Sequence, residues 1–366
     1  MIALAAAAAL VLVALAARIQ SRREAAPDLP PAAPAPPPTL AVLPVRDEEG
    51  NVVPCVESLL DQAAKPVIRV VDDGSRDRTA ELAAGLAAAS ERVEVLAAGP
   101  LPDGWRGKLH ALAVGMEHSD HPWLLFTDAD TRHAPEILAR AHAAAALHQL
   151  DLVSVAGRQE TRGLGEALLT PPVFAVLDAL LGDWAAAASG AGPAVANGQF
   201  ILVRRRALEE GRGLEAVRGA ILDDIALAAE LRRQGWRTGF WRAGDLLRVR
   251  MYQGLAATWR GWRRNLAGIF AGRAGAAAAS LAILLGPVLG LAAAAASQRW
   301  PALFLLWAGG AAASAMLRSG SGHSPWPALL YPLDALATAS VLAAALVDLR
   351  RGRLSPWKGR EIRVGS

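Results

Sequence analysis

Cysteine is almost absent from this sequence of 366 residues, because Cys55 is the single one. One cysteine excludes an internal disulfide and a cysteine-rich zinc site, and we interpret Cys55 as a small apolar core residue. A large net charge is also missing, since 38 Lys and Arg residues oppose 34 Asp and Glu residues. This balance predicts local basic clusters and no nucleic-acid-binding surface.

The N-terminus lacks charge over residues 1–17, which are rich in Ala, Leu and Val. A secretory signal carries its positive charge before the apolar run, whereas here Arg18, Arg22 and Arg23 follow it. The positive-inside rule therefore predicts an uncleaved membrane anchor over residues 1–18, with the next domain in the cytoplasm.

The C-terminal third is apolar, in a chain that is 53% hydrophobic. Three segments are long enough, or nearly so, to cross a bilayer, and they lie at residues 274–297, 301–317 and 326–347. They predict a transmembrane bundle over residues 266–348 and a basic tail over residues 349–366. An intramembrane acid is costly, so we expect Asp334 to pair with a cation or to reach the interface.

The number of crossings conflicts with the charge of the tail. Three C-terminal crossings after a cytoplasmic domain would place the tail outside, although its arginines favour the inside. Either the short segment 301–317 does not cross, or residues 164–188 are also embedded. The latter segment is long, apolar and interrupted by Pro171 and Pro172, which fits an amphipathic interfacial helix or a buried helix pair equally well.

Between the apolar ends, the pattern predicts a Pro-rich, extended linker over residues 19–39 and an α/β domain over residues 40–265. Short apolar runs alternate with Ala- and Leu-rich helical stretches, which is typical of a mostly parallel sheet with crossover helices. The predicted strands are residues 40–45, 67–71, 93–97, 123–127, 152–155, 199–203 and 238–242. The predicted helices are residues 51–64, 77–89, 108–117, 135–148 and 223–233.

Acidic side chains follow two of these predicted strands. Asp72 and Asp73 end the second strand, and Asp128 and Asp130 follow the fourth. Carboxylates at the ends of buried strands point to a nucleotide and metal site, because a hard divalent cation prefers oxygen ligands. The alternatives are a turn at Asp73, which precedes a glycine, and a helix cap at the Asp128 pair.

These motifs resemble, in order and position, those of the family-2 inverting glycosyltransferases with the GT-A fold. The resemblance covers roughly residues 40–265 and rests on residues 43–48, 71–79, 107–115, 128–130, 197–199 and 223–227. It implies a GT-A, nucleotide-diphospho-sugar transferase domain between an N-terminal anchor and a C-terminal transmembrane helix bundle. Residues 104–108 and 357–360 are similar to bacterial hopanoid-, carotenoid- or ceramide-type lipid glycosyltransferases.

The resemblance also implies roles for individual residues. Asp130, with Asp128, would bind a divalent Mg or Mn ion, and Asp224, beside Asp223, would be the general base. The nucleotide-sugar donor would be bound by Arg46, Asp47, Asp72, Asp73, Lys108 and Asp128. The donor sugar and acceptor would be contacted by Asn197, Gly198, Gln199, Trp262 and Arg263.

Two departures from the family pattern matter. Asp223 replaces the more frequent Glu, and the Gln-x-x-Arg-Trp motif of processive synthases retains only Trp262 in register, with Thr258 and Gly261 at the Gln and Arg positions. The predicted function is therefore transfer of a single sugar to a lipid acceptor at the cytoplasmic face of the inner membrane by a multi-pass protein. A processive polysaccharide synthase and a non-enzymatic scaffold or sugar-nucleotide sensor are the alternatives.

Overall fold

The computed structural model describes residues 2–32, 35–181, 184–357 and 360–363. The chain forms two compact units. The sheet domain comprises residues 26–158 and 183–250, and the helical unit comprises residues 1–25, 159–182 and 251–366. The predicted α/β domain, residues 40–265, therefore contained two stretches that belong to the helical unit.

The strands of the main sheet alternate with helices in the first half of the domain. The strands are β1 (Thr39–Val45), β2 (Val67–Asp72), β3 (Val93–Ala97), β4 (Trp123–Phe126), β5 (Thr131–His133), β6 (Leu152–Gln159), β7 (Ile201–Arg204) and β8 (Thr238–Val249). The helices are α2 (Val52–Leu60), α3 (Thr79–Ala89), α4 (Gly107–Met116), α5 (Ile137–His148), α7 (Trp184–Ala188), α8 (Arg205–Glu209) and α9 (Asp223–Arg233).

The sheet has a parallel half and a mixed half, in the strand order β3-β2-β1-β4-β7-β6-β8-β5. β1 pairs in parallel with both β2 and β4, and β2 pairs in parallel with β3. β7 is antiparallel to β4 and β6, and β5 is antiparallel to β8. The carboxyl ends of β1, β2 and β4 therefore meet at one edge of the sheet.

Buried aliphatic side chains explain why β1, β2 and β4 were predictable. Leu40, Val42 and Leu124 have no exposed surface, and they join one apolar cluster with side chains of α4 and α9. Two features were not predicted. β5 has only three residues, all of them polar or charged, and β8 is twelve residues long instead of five. β8 extends to Val249 because its second half pairs with β5.

The Pro-rich segment differs from the predicted spacer. Residues 19–25 continue the first helix, and the next residues lie against the sheet domain. Leu29 is buried, its N–H donates to the carbonyl of Arg242 at 3.1 Å, and its own carbonyl accepts from Arg140 at 2.8 Å. Asp28 also pairs with Arg242 at 3.0 Å. The segment is therefore attached to the sheet domain at least as far as Pro30, whose carbonyl also accepts from Arg140.

The helical unit contains long helices, most of them apolar. They are α1 (Ile2–Ala25), α6 (Leu164–Leu181), α10 (Leu255–Phe270), α11 (Ala274–Ala296), α12 (Trp300–Gly320) and α13 (Leu333–Arg351), and the strands β9 (Arg353–Trp357) and β10 (Arg360–Arg363) pair antiparallel beyond them. Among the described residues, α1, α11 and α12 are long and apolar enough to cross a membrane. The suspicion that 301–317 was too short is wrong, because α12 has 21 residues.

The segment 164–188 was expected to be one interfacial helix or a buried pair. Instead it divides between the two units, with α6 in the helical unit and α7 in the sheet domain. Leu169 and Val173 of α6 are fully buried, and its Asp178 pairs with Arg23 of α1. The apolar sequence of α6 is thus explained by packing among helices.

Candidate active site

The predicted acids converge at the carboxyl edge of the parallel strands. Lys108, in the first turn of α4, places its Nζ 2.7 Å from Asp128 Oδ1 and 3.4 Å from Asp223 Oδ2. Asp128 follows β4, whereas Asp223 lies much later in the sequence, at the start of α9. One ammonium group therefore joins two acids that are far apart in the sequence.

Asp224 is held beside them by backbone amides. Its Oδ2 accepts from the N–H of Gly198 at 2.9 Å, and its Oδ1 accepts from the N–H of Ile225 at 2.8 Å. Gly198 has no room for a side chain, because a Cβ there would lie 2.6 Å from Lys108 Nζ and 3.7 Å from oxygens of Asp128 and Asp224. The glycine thus permits the close approach of its loop to all three charged groups.

Burial and mutual repulsion change the proton affinity of this cluster. Burial and the neighbouring charge of Asp223 raise the pKa of Asp224 to about 6, although Lys108 and the two amides oppose them. Burial likewise raises the pKa of Asp128, against the attraction of Lys108. Burial alone would lower the pKa of Lys108, but the carboxylates outweigh it and the pKa lies above its ordinary value. A carboxylate with a pKa near 6 is suited to general-base catalysis near neutral pH.

The site also fits a divalent cation that is shared with a substrate. Among the described residues, no group of three or more His, Cys, Asp or Glu side chains forms a cage for a metal. Mg²⁺ is usually bound by one or two carboxylates together with waters and substrate phosphates. Asp128 and Asp130, hard oxygen donors at the end of β4, match that simpler donor set.

The residues predicted to bind the nucleotide form contacts between the loop after β1 and the loop after β2. Arg46 donates to the carbonyl of Asp73 at 2.5 Å, and both side chains are buried. Asp72 accepts from the N–H and the hydroxyl of Ser75. Asp47, at a positive φ of 51°, accepts from the N–H of Arg76 at 2.7 Å. These contacts agree with the turn interpretation of the segment, and nucleotide binding by these residues stays a prediction.

A buried polar network lies behind the site and was not predicted. Thr127 donates to the carbonyl of Gln199 at 2.8 Å and lies 3.1 Å from Nε2 of His133 and 3.2 Å from the hydroxyl of Thr131. Thr131 donates to the carbonyl of Asp128 at 2.6 Å. Burial, together with the charge of Arg132, lowers the pKa of His133 to about 3, so the ring is neutral. The network connects the loop that carries Asp128 with the loop that carries Gly198.

A sequence signal for this network existed. Thr131 and His133 alternate along a short polar stretch directly after the Asp128–Asp130 motif, which is typical of a strand with one face inward. The other loop residues also have internal partners. Asn197 donates from its side-chain amide to Gln199 Oε1 at 2.9 Å, and its N–H donates to Ser154 at 2.8 Å.

Trp262 and Arg263 belong to the helical unit. Trp262 is buried edge-on against Phe174, with ring centroids 5.2 Å apart. Arg263 forms a bidentate ion pair with Asp348, at 2.5 and 2.7 Å. Their predicted contact with donor sugar or acceptor stays a prediction. Of the segment 357–360, residues 358 and 359 lie outside the described residues.

The parallel sheet with acids at its carboxyl edge defines the class of this domain as GT-A-like. The fold resembles the mannosyltransferase PcManGT from Pyrobaculum calidifontis, solved in complex with GDP-Man and Mn²⁺, at a TM-score of 0.57 and 19% identity over 94% of this chain and 99% of that one. Residues 41–180 match the sequence profile described as Glycosyl transferase family 2, so the chain carries a domain of this family.

Two relatives resemble part of the chain. A 4,4'-diaponeurosporenoate glycosyltransferase of Staphylococcus haemolyticus is 32% identical over 106 residues, 28% of each chain. The glycosyltransferase AglE of Haloferax volcanii is 30% identical over 115 residues, 31% of this chain and 36% of the relative. The chain thus spans about a third of the length of the relatives it matches. The predicted family and the GT-A-like fold are confirmed.

Proposed function

We propose that this protein is a membrane-bound glycosyltransferase that moves one sugar from a nucleoside diphosphate sugar to a lipid acceptor, with inversion at the anomeric carbon. The observation that carries the proposal is the convergence of Asp128, Asp223 and Asp224 around Lys108. In this cluster the acid that follows β4, which would face the donor diphosphate, lies near a carboxylate, Asp224, with the pKa of a general base.

In this reaction Asp224 accepts the proton of the acceptor hydroxyl while the acceptor oxygen attacks the anomeric carbon. The bond between that carbon and the diphosphate oxygen breaks, and the nucleoside diphosphate leaves with the electron pair. Lys108 is placed to offset part of the negative charge that develops on the leaving group. A divalent cation held by Asp128 and Asp130 would supply further charge neutralisation there.

The relatives guide the choice of acceptor. The Staphylococcus haemolyticus relative is named for a carboxylate acceptor, and the apolar helices α1, α11 and α12 favour an acceptor that lives in lipid. Arg18 and Arg22 follow the apolar part of α1, which supports a cytoplasmic catalytic domain at the inner membrane. The partial Gln-x-x-Arg-Trp motif disfavours a processive synthase.

The test uses the purified full chain with UDP-glucose or GDP-mannose, Mg²⁺ or Mn²⁺, and a bacterial lipid extract, followed by mass spectrometry of the lipids. We expect one added hexose, dependent on metal and absent with Asp130→Ala. Long saccharide products would identify a synthase. Nucleotide-sugar binding without hydrolysis or transfer to any acceptor would favour a sensor and contradict the proposal.

The kind of acceptor group can be read from the same assay. A hydroxyl must lose its proton as it attacks, whereas a carboxylate is already ionised at neutral pH. Transfer that survives in Asp224→Asn would therefore indicate a carboxylate acceptor. Loss of transfer in this variant, with donor binding retained, would indicate a hydroxyl.

A further inference from the structure

Helix α13 buries both of its acids and leaves several large apolar side chains exposed. Its acids Asp334 and Asp348 are 2% and 5% exposed, whereas Leu333, Leu336 and Val347 are 51%, 42% and 40% exposed. A surface helix of a soluble protein buries its apolar face and exposes its charges. The opposite arrangement is expected where the surroundings are lipid.

The buried acids are satisfied inside the helical unit. Asp334 pairs with Arg318 at 3.2 Å and accepts from Ser314 at 2.6 Å. Asp348 forms the bidentate pair with Arg263 of α10. Both carboxylates therefore face protein, and neither reaches the outer surface.

The outward residues form one continuous stripe. Positions 333, 336, 340, 343 and 347 are all exposed, and their spacing of three and four residues places them on one helix face. Four of the five are Leu, Ala or Val, and Ser340 accepts from Trp259 at 3.1 Å. The preceding turn, Trp326–Leu330, adds the exposed Trp326 and Leu329.

The partners of α13 indicate that both of its ends lie at one end of the bundle. α1 and α12 run in the same direction, because Ala9 lies against Gly309 and Gln20 against Gly320. α11 is joined to α12 by a short turn, and Gly290 approaches Leu306, so α11 runs in the opposite direction. The C-terminal end of α12 and the N-terminal end of α11 are consequently on the same side.

Each end of α13 is attached to that side. Asp334 binds Arg318 in the last turn of α12, and Asp348 binds Arg263 in α10, the helix that leads directly into α11. A helix of 19 residues is about 28 Å long, enough to cross, but these two attachments hold it across the end of the bundle.

We infer that α13 and the turn before it lie in the membrane interface, with the apolar stripe inserted among lipid acyl chains. The occupant of this face is the bilayer itself, because α13 packs on α11 and the turn packs on α12, two helices suited to crossing it. Arg350 and Arg351, exposed at the end of α13, are placed to contact phosphate head groups. With α1, α11 and α12 crossing and α13 not crossing, the tail ends on the side where α1 ends, which resolves the conflict of charge and parity.

The experiment measures depth in the bilayer with nitroxide labels on single cysteines in the full chain, reconstituted in liposomes of phosphatidylcholine and phosphatidylglycerol. The labelled variants are Leu333→Cys, Leu336→Cys, Ala343→Cys and Val347→Cys. The buried Cys55 is left in place, and the unmodified chain measures its background labelling. Two references are Arg78→Cys, 67% exposed in the sheet domain, and Leu289→Cys, 67% exposed in α11.

We expect similar, shallow depths of about 5–10 Å at all four positions, with collisions favouring oxygen over a soluble nickel chelate. Position 289 should be deeper and position 78 fully accessible to the chelate. A depth that peaks at position 343 would show a crossing helix, and chelate access equal to that at position 78 would show an aqueous surface. Either result overturns the inference. Because the four sites share one face, any two that retain the circular dichroism of the unmodified chain decide the outcome.

Discussion

The two units of this protein use buried charge in opposite ways. In the sheet domain three aspartates, Asp128, Asp223 and Asp224, lie around the ammonium of Lys108, and Arg106 also interacts with Asp223, so carboxylates outnumber cations. In the helical unit Asp178, Asp334 and Asp348 pair with Arg23, Arg318 and Arg263, respectively. A pair of one acid and one arginine is neutral and is stable without a ligand. A cluster with more carboxylates than cations needs protonation, or a bound cation or ligand, to be stable. We therefore assign the cluster with excess carboxylates to the reaction, and the neutral ion pairs to the structural framework of the helical unit.

The largest expected effect breaks the site and leaves the framework intact. Asp224→Asn keeps the shape of the side chain but removes the base, so transfer to a hydroxyl acceptor should fall by about 10²–10⁴-fold. The Kd of the donor, measured by calorimetry, should change by less than about twofold, because the variant removes an interaction that is made only in the transition state. Asp245→Asn, at an exposed acid of the same domain, is the control. Equal loss of binding and transfer would assign Asp224 to the donor pocket instead.

The reciprocal change breaks the framework and spares the site. Arg318→Met leaves Asp334 buried without its cation, and we expect a loss of about 3–5 kcal/mol in the free energy of unfolding in detergent. Arg299→Met, at an exposed arginine just before α12, should change it little. The double variant Arg318→Met with Asp334→Leu should recover much of the loss. The protein that remains folded should bind donor normally, and a selective loss of donor binding would contradict a framework role.

The pH dependence of transfer sharpens the comparison. Asp224 acts as a carboxylate, so kcat/KM should rise with pH through its pKa of about 6 and then level off. Asp223→Asn removes a neighbouring negative charge and should move this midpoint down by roughly one unit. Lys108→Met removes a positive charge and should move it up. Midpoints that do not move in these two variants would show that another group sets the acid limb.

The smallest effect concerns the network behind the site. Thr127→Val removes the hydroxyl that donates to the Gln199 carbonyl, a hydrogen bond that contributes about 1 kcal/mol. If the whole of this energy is lost from the transition state, kcat for transfer should fall roughly fivefold. Thr127→Ser retains the hydroxyl and should restore the rate. A Val variant with the full rate would show that this hydrogen bond does not contribute to transfer.

Local patterns were sufficient for the parallel half of the sheet and for its acids. Apolar runs gave β1 to β4 to within a residue or two, and the resemblance placed Asp128, Asp223 and Asp224 in one site. The boundary between units was not visible in the same patterns. α6 and α10 are apolar or amphipathic segments, and their sequences do not indicate which elements cover their apolar faces. Both pack in the helical unit.

The sequence by itself determined the order of strands and helices, the apolar spans and the residue types needed for sugar-nucleotide chemistry, because these depend on periodicity and on motifs within a few residues. Tertiary structure alone decided which charges meet: Lys108 with Asp223, Arg318 with Asp334, Arg263 with Asp348. A charge gives no local sign of its partner. The same aspartate is a site, a cap or half of an ion pair according to what the folded chain brings within about 4 Å of it.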